Sequence, residues 1–276
     1  MEDLQNLLLK LDKTYFSIFQ ENKDNFNLFE KTTHLNATGH KSLAIDLFLE
    51  DLIINFFQEE GLPCVLEAEE KGKIVLSKNP EFLVIVDPLD GTNNFRRNIP
   101  LVCYGVGIAK ISSTNTRVKF NDFQAAIVRS LYSNELFTAY KGKGASCNNE
   151  LIKPSTITKL SEAFVAFDLD GTFKEKELVN KVITILSKSK GSRRFGANLL
   201  DSVYVAAGKI EAMIDIRNNL SAVHTPGLFI SKESGCIIKT AYGKEFNPML
   251  AAEEKVNFLL SNNKQIIEQM LKIINV

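Results

Sequence analysis

Two aspartates that follow a buried strand are the residues best placed to do chemistry. The apolar run 83–86 is typical of a strand buried on both faces, and Asp87 follows it directly. Asp90, Gly91 and Thr92 come next, around a turn. Carboxylates at the end of a buried strand are costly unless a positive charge neutralises them, and hard oxygen ligands of this kind suit Mg²⁺. Because glycine lets the backbone approach a ligand closely, the spacing predicts a divalent-metal site with an anion cradle beside it.

The other interpretation of this segment is an ordinary turn. Asp, Pro and Gly are the commonest turn residues. Pro88 has no N–H for a sheet ladder, so we expect the strand to end there. The full string is longer than a turn requires: a strand, then Asp, Pro, an apolar residue, Asp, Gly, Thr, Asn and an aromatic residue. Its length favours a functional site.

A second acidic group lies one strand earlier in the chain. The run Cys64–Leu66 predicts a short strand that delivers Glu67, Glu69 and Glu70. Three carboxylates this close repel one another unless they are partly solvated or bind a metal. A solvated loop is the simpler interpretation of these residues alone. Their position just before the strand that carries Asp87 favours metal binding.

Helices and further strands complete the predicted framework. Apolar residues recur at helical spacing over 4–19, and Ser42 is a plausible cap for a second helix that runs towards Phe57. On that helix Asp46 and Glu50 share a face, which by itself indicates a solvated acidic stripe. Beyond the metal motif, three β-rich runs predict an antiparallel meander; they span 101–111, 123–130 and 136–140.

The C-terminal half contributes cationic residues and a further carboxylate. Arg193 and Arg194 precede a predicted helix, which makes a natural anion site, although solvated surface arginines are the alternative. The strand over 210–216 carries Asp215 and leads into Arg217. From the residues alone, the arginine pair is the candidate anion site of this half.

Composition limits the functional classes. The chain has 276 residues, of which 45% are hydrophobic and 24% charged, as in ordinary globular proteins. Lys plus Arg and Asp plus Glu number 33 each, so no global basic field indicates nucleic-acid binding. The four cysteines are widely spaced, the N-terminus is acidic, and no apolar run reaches membrane-spanning length. We therefore expect a cytoplasmic protein with free thiols.

The stretch from Leu83 to Phe95 resembles the signature of the inositol monophosphatase family of Mg²⁺-dependent phosphatases. Other resembling segments appear in the family's order: Thr38–Ser42 with Asp46 and Glu50, Glu69 with Glu70, the Arg194 segment, and Glu233 to Gly235. The Asp215, Arg217 and Leu220 spacing is similar to the archaeal fructose-bisphosphatase/inositol monophosphatase branch. The resemblance implies an α/β fold, the layered α/β/α/β/α sugar-phosphatase sandwich. It also implies one domain over 1–276, with lobes of about 1–150 and 151–276.

The resemblance further implies hydrolysis of a small phosphorylated metabolite, such as inositol monophosphate or fructose 1,6-bisphosphate, by a homodimer that contacts neither nucleic acid nor membrane. Its cofactor is Mg²⁺, with Mn²⁺ as the alternative. By the resemblance, Glu69, Asp87 and the Leu89 carbonyl bind one metal, Asp87 and Asp90 contribute to a second, and Asp46 supports both. Thr92, with Glu69 or Glu70, orients the attacking water, and the N–H groups of Gly91 to Asn93 hold the phosphate. Arg194, Asp215 and Arg217 form the pocket for the alcohol part of the substrate.

One departure from the family stands out. Relatives carry an aspartate that opens a late helix and binds the second metal, whereas this chain has Val223 or His224 there. An imidazole ligand would favour Mn²⁺, Zn²⁺ or Co²⁺ over Mg²⁺. The alternative is that His224 caps the helix or lies near the surface. The missing aspartate also supports an alternative interpretation, in which the chain is a family member that has lost catalysis and binds a phosphorylated ligand or a partner.

A rival catalytic motif lies past the midpoint of the chain. Residues 164–167 form a predicted strand, and Asp168 and Asp170 follow it. This arrangement resembles the nucleophile motif of haloacid-dehalogenase-type phosphatases, in which the first aspartate takes the phosphoryl group. That motif normally opens its domain, and no clear downstream acidic pair matches it here. The sequence therefore favours the metal site around Asp87.

Overall fold

The structure is a computed structural model that describes residues 2–25, 30–36, 41–112, 117–172 and 175–275. Its helices are α1 (Glu2–Asn22), α2 (Ala44–Glu59), α3 (Thr92–Phe95), α4 (Lys176–Lys188), α5 (Asn198–Ala206), α6 (Thr225–Ser234) and α7 (Lys264–Ile274). Among these residues, no helix is both long and apolar enough to cross a membrane.

Its strands are β1 (Lys31–Leu35), β2 (Lys41–Leu43), β3 (Cys64–Ala68), β4 (Gly72–Val75), β5 (Phe82–Asp90), β6 (Cys103–Lys110), β7 (Phe123–Ser130), β8 (Leu136–Tyr140), β9 (Ala145–Cys147), β10 (Glu150–Leu151), β11 (Phe164–Phe167), β12 (Gly191–Arg193), β13 (Ala212–Ser221), β14 (Ile237–Lys239) and β15 (Lys255–Ser261). β1 and β2 form a two-stranded sheet. Of the two main sheets, the larger has the order β10-β9-β8-β7-β6-β5-β3-β4 and the smaller has the order β12-β11-β13-β15-β14. The predicted meander is confirmed as the antiparallel strands β6, β7 and β8.

The two sheets are layered between helices. Alternate residues of β5 face opposite sides: Val84 and Val86 pack with α1 and α2, whereas Leu83 and Ile85 pack with α5 and α6. One face of the smaller sheet joins that second layer, and its other face packs against α4 and α7. This order of layers confirms the predicted α/β/α/β/α sandwich.

The end of β5 differs from the prediction. The strand does not end at Pro88; it continues to Asp90 and pairs with β6 on both sides of an irregularity. Asp87 opposes Gly105 and Asp90 opposes Cys103, so one extra residue is accommodated between them. A bulge tolerates Pro88 because the ladder is interrupted there. The bulge brings both carboxylates to the same edge of the sheet.

The start of α2 also differs from the prediction. Ser42 lies on β2 and does not cap the helix. The backbone N–H of Leu43 instead donates to Asp46 Oδ2 at 2.9 Å, so a carboxylate inside the first turn closes the helix start. Asp46 and Glu50 are 2% and 0% exposed, which excludes the solvated acidic stripe. Of the predicted loop that precedes them, residues 38–40 lie outside the described residues.

Candidate active site

Strand pairing brings the two acidic groups together. β3 and β5 are parallel, with Ala68 opposite Val86, so their carboxyl ends lie at the same edge of the larger sheet. The Glu69 backbone N–H donates to the Val86 carbonyl at 3.1 Å and continues the ladder one step. Glu69 therefore lies beside Asp87. The two acidic groups lie together as predicted, although β4, which the sequence analysis did not predict, comes between β3 and β5 along the chain.

Asp87 is the most enclosed carboxylate of the cluster. Its side chain is 0% exposed. Its Oδ1 accepts a hydrogen bond from the Leu89 N–H at 3.1 Å. Its Oδ2 is buried and has no hydrogen-bond partner among the described residues. Because an orphaned buried acceptor is costly, this oxygen fits a position where a cation binds.

His224 closes the cluster from the C-terminal half. Its Nε2 lies 3.4 Å from Asp87 Oδ2 and 4.0 Å from Asp90 Oδ1. Ligand atoms of Glu69, Asp87 and His224 all lie within 4.8 Å of one another. Val223, the other residue that the sequence offered for this place, is 0% exposed in the apolar core. The histidine, and not the valine, faces the carboxylates.

Asp90 is held by the start of helix α5. Its Oδ2 accepts a hydrogen bond from the Leu199 N–H at 2.6 Å, and the Cys103 thiol lies 3.6 Å from the same oxygen. A helix N-terminus stabilises negative charge through its unpaired N–H groups. The helix therefore orients Asp90, so that its other carboxylate oxygen, Oδ1, faces His224.

Burial and mutual repulsion dominate the electrostatics of the cluster. Burial, then the charges of Glu69 and Asp90, raise the pKa of Asp87 well above its ordinary value. Burial, then the charge of Glu70, does the same to the pKa of Glu69. Burial also raises the pKa of Asp90, although His224 and the Leu199 N–H oppose that rise. These carboxylates are destabilised as anions, and a divalent cation would relieve that repulsion.

A second set of buried carboxylates supports the acidic loop. The Glu50 carboxylate accepts the backbone N–H groups of Glu70 and Lys71 at 2.8 and 2.9 Å. The Ser42 hydroxyl donates to Glu70 Oε2. Burial, followed by the charge of Glu70, raises the pKa of Asp46 to about 8, and burial raises that of Glu50 to about 7. These contacts fix the backbone that carries the acidic loop.

The segment after Asp90 forms a tight turn into the short helix α3. Gly91 has a φ of 90°, and a Cβ there would lie 2.7 Å from the Leu101 carbonyl oxygen, so glycine is required. The Thr92 hydroxyl donates to the Leu89 carbonyl at 2.9 Å and lies 3.5 Å from Asp46 Oδ1. Thr92 thus joins the β5 bulge to helix α2. The Leu89 carbonyl keeps its second lone pair for another partner.

The predicted alcohol-pocket residues form an ion-pair network. Arg217 binds Asp215 through Nε and a terminal nitrogen at 3.0 and 2.6 Å, and Asp215 is 0% exposed. Arg217 also reaches Asp168 at 3.1 Å. Arg194 pairs with Asp168 at 3.2 Å and with Asp170. Both rival-motif aspartates are therefore paired with arginines, and Asp215 positions Arg217 from beneath the surface.

Two clefts of about 320 and 330 Å³ meet at Glu69 and Asn93. Sequence reasoning missed several of the residues that line them: Lys41, Arg96, Asn198 and Asn219. It also missed Lys255, whose ammonium interacts with the Glu69 charge while burial lowers its pKa. Scattered Asn, Lys and Arg residues have no distinctive spacing, so only the fold collects them.

Comparisons with known proteins agree with this architecture. The model of the inositol monophosphatase family matches residues 5–275. The fructose-1,6-bisphosphatase/inositol-1-monophosphatase of Methanothermobacter thermautotrophicus is 27% identical over 247 residues, which cover 88% of this chain and 86% of the relative. Inositol monophosphatase 3 of Solanum lycopersicum is 29% identical over 229 residues, which cover 79% of this chain and 81% of the relative.

Among solved structures, a hypothetical protein from Pyrococcus horikoshii with similarities for inositol-1 monophosphatase gives a TM-score of 0.81 over 98% of both chains, at 26% identity. The family match and the shared fold remove the haloacid-dehalogenase alternative. The chain belongs to the inositol monophosphatase family, whose members are metal-dependent phosphatases acting on small phosphorylated substrates.

Proposed function

We propose that this protein is a Mg²⁺-dependent phosphatase that hydrolyses a small phosphate monoester, such as inositol monophosphate or fructose 1,6-bisphosphate. The observation that carries the proposal is the orphaned Asp87 Oδ2, which is buried among further carboxylates. Buried like charges are costly unless a cation neutralises them. The relatives named for these two substrates support the substrate class.

The residues present fit divalent cations. Glu69, Asp87 and the Leu89 carbonyl would hold one metal, and Asp87 with Asp90 would contribute to a second; all four donor groups cluster at the end of β5 or beside it. When bound, such cations supply positive charge that stabilises phosphoryl oxygens during displacement, and they activate water. Mg²⁺ is the proposed cation because hard oxygen donors predominate.

The remaining roles belong to the chain's own side chains and backbone. The Thr92 hydroxyl, with Glu69 or Glu70, would orient the attacking water. The N–H groups of Gly91 to Asn93 would hold the phosphate, next to the cleft that Lys41 and Arg96 line. Asp46 would act indirectly, because it contacts Thr92 and the start of α2.

The adjoining cleft would take the alcohol part of the substrate. Arg217 lines it, and Asp215 fixes the orientation of that guanidinium through two hydrogen bonds. Arg194 contributes at the exposed rim through its pairs with Asp168 and Asp170. Charged and amide groups that surround a small cleft suit a hydroxyl-rich molecule.

The proposal extends to the organisation of the molecule. One apolar core includes residues of both sheets, such as Ile85 and Met213, which supports a single domain with two lobes. The four cysteines are free, which supports a reducing cytoplasmic location. A homodimer is proposed from the family resemblance. The molar mass in solution, measured by light scattering, tests this and should be twice that of the monomer.

The deciding experiment measures phosphate release by the purified protein from a panel of inositol phosphates, fructose bisphosphate, other sugar phosphates and nucleotides. Each substrate is assayed with Mg²⁺, with Mn²⁺ and with EDTA. We expect hydrolysis of at least one sugar or inositol phosphate with Mg²⁺ and none with EDTA. Turnover that survives EDTA would refute the metal mechanism. No turnover with any cation would favour the alternative, a ligand-binding member without catalysis.

A further inference from the structure

His224 occupies an unusual position for a helix-start residue. It immediately precedes α6, yet its side chain makes no capping hydrogen bond to that helix. Its ring turns towards the acidic cluster instead, and its side chain is only 12% exposed. The interpretation of His224 as a simple helix cap is therefore wrong.

The contacts of the two ring nitrogens define what His224 can do. Nδ1 lies 3.2 Å from the Ser221 carbonyl oxygen, which can only accept a hydrogen bond. In neutral imidazole the proton is then on Nδ1, and Nε2 carries a lone pair. That lone pair lies 3.4 Å from Asp87 Oδ2, which is also an acceptor when ionised. A backbone carbonyl that fixes the tautomer in this way is the usual support of a metal-binding histidine.

The carboxylate opposite supplies an independent observation. Asp87 Oδ2 belongs to a side chain that is 0% exposed, and it has no hydrogen-bond partner among the described residues. Ligand atoms of Glu69, Asp87 and His224 lie within 4.8 Å of one another, and Asp90 Oδ1 lies 4.0 Å from the same imidazole nitrogen. Lone pairs from an imidazole and from ionised carboxylates thus converge on one position. A cation satisfies all of them at once.

We propose that His224 Nε2 is a metal ligand of the second site, and that it shifts the site's preference from Mg²⁺ towards Mn²⁺, Co²⁺ or Zn²⁺. This inference rests on the proposed metal-dependent function. Imidazole suits these borderline cations, whereas Mg²⁺ favours oxygen ligands and retains its water. The preference follows from one nitrogen donor in an otherwise carboxylate site.

The test uses Mn²⁺ as a spectroscopic probe in the whole protein. Electron spin-echo envelope modulation of the Mn²⁺-loaded wild type is expected to show ¹⁴N coupling from one imidazole. The coupling should disappear in His224→Asp and in His224→Asn. It should persist in His34→Gln, a control that removes the other described histidine, whose Nε2 contacts the Glu70 carbonyl.

Calorimetry supplies the second readout. The ratio of the Mg²⁺ to the Mn²⁺ dissociation constant should fall at least about tenfold in His224→Asp, because even losing a group that only orients a ligand costs 10- to 100-fold in metal affinity. Wild-type protein that binds Mn²⁺ without nitrogen coupling, or an unchanged ratio, would overturn the proposal. Either result leaves Mg²⁺-dependent hydrolysis intact, whereas nitrogen coupling without hydrolysis of any substrate would overturn only the proposed activity.

Discussion

Replacing Asp46 by asparagine tests the electrostatic account of the site. Asp46 is 2% exposed, and burial with the nearby Glu70 charge raises its pKa from 3.8 to about 8. The unfolded chain loses this proton near pH 4, but the folded chain keeps it until about pH 8. The folded state therefore binds more protons between these values, so the free energy of unfolding falls as pH rises through the window.

The size of the effect follows from the same shift. Each tenfold change in proton affinity is worth about 1.4 kcal/mol. Between pH 5 and pH 8, ionisation of Asp46 should cost the metal-free wild type roughly 3 kcal/mol that Asp46→Asn does not lose. The asparagine carbonyl can still accept the Leu43 N–H, so the helix start is retained.

The assay is urea unfolding in EDTA at pH 5, 6, 7 and 8. Asp46→Asn should show a shallower decline in the free energy of unfolding than the wild type. Asp51→Asn is the matched control, because this aspartate lies on the same helix with a side chain that is 55% exposed. It should follow the wild type. Parallel pH profiles for wild type and Asp46→Asn would refute the reasoning.

Three further predictions test other parts of the structure. Tyr15→Phe removes the donor to the buried Pro88 carbonyl and should cost about 1–3 kcal/mol in urea unfolding, whereas Tyr242→Phe at the surface should cost nothing measurable. Arg129→Met leaves the buried Asp12 carboxylate without its cation and should lower the free energy of unfolding by about 3–5 kcal/mol; recovery of most of that loss on adding Asp12→Leu checks the cause. With 33 acidic and 33 basic residues, the protein should not shift random duplex DNA in a gel, and tight salt-sensitive binding would contradict this.

Local patterns were sufficient for much of the site. The strand before Asp87, the acidic loop of Glu69 and Glu70, and the glycine at position 91 depend on residues close in sequence. Parallel pairing of β3 with β5 then brings these segments together without further information. The same locality explains why the helix over 2–22 is predictable from periodicity.

Tertiary contacts determine the features that the sequence left open or indicated wrongly. Pro88 indicated a strand end, but a bulge against β6 carries the strand past it. Ser42 was predicted to cap α2, but its hydroxyl donates a hydrogen bond to Glu70 instead. The choice between Val223 and His224 depends on which of these neighbouring residues faces β5, and a shift of one residue along the chain exchanges them. No local pattern encodes such contacts.

The central claim is that metal-dependent hydrolysis depends on the carboxylates at the end of β5. The most direct measurement is Mg²⁺-dependent phosphate release by wild type, Asp90→Asn and Asp168→Asn, purified in parallel. Asp90→Asn should fall to background because it loses an anionic metal ligand, while Asp168→Asn should keep metal-dependent turnover because this aspartate pairs with arginines. An active Asp90→Asn beside an inactive Asp168→Asn would contradict the account.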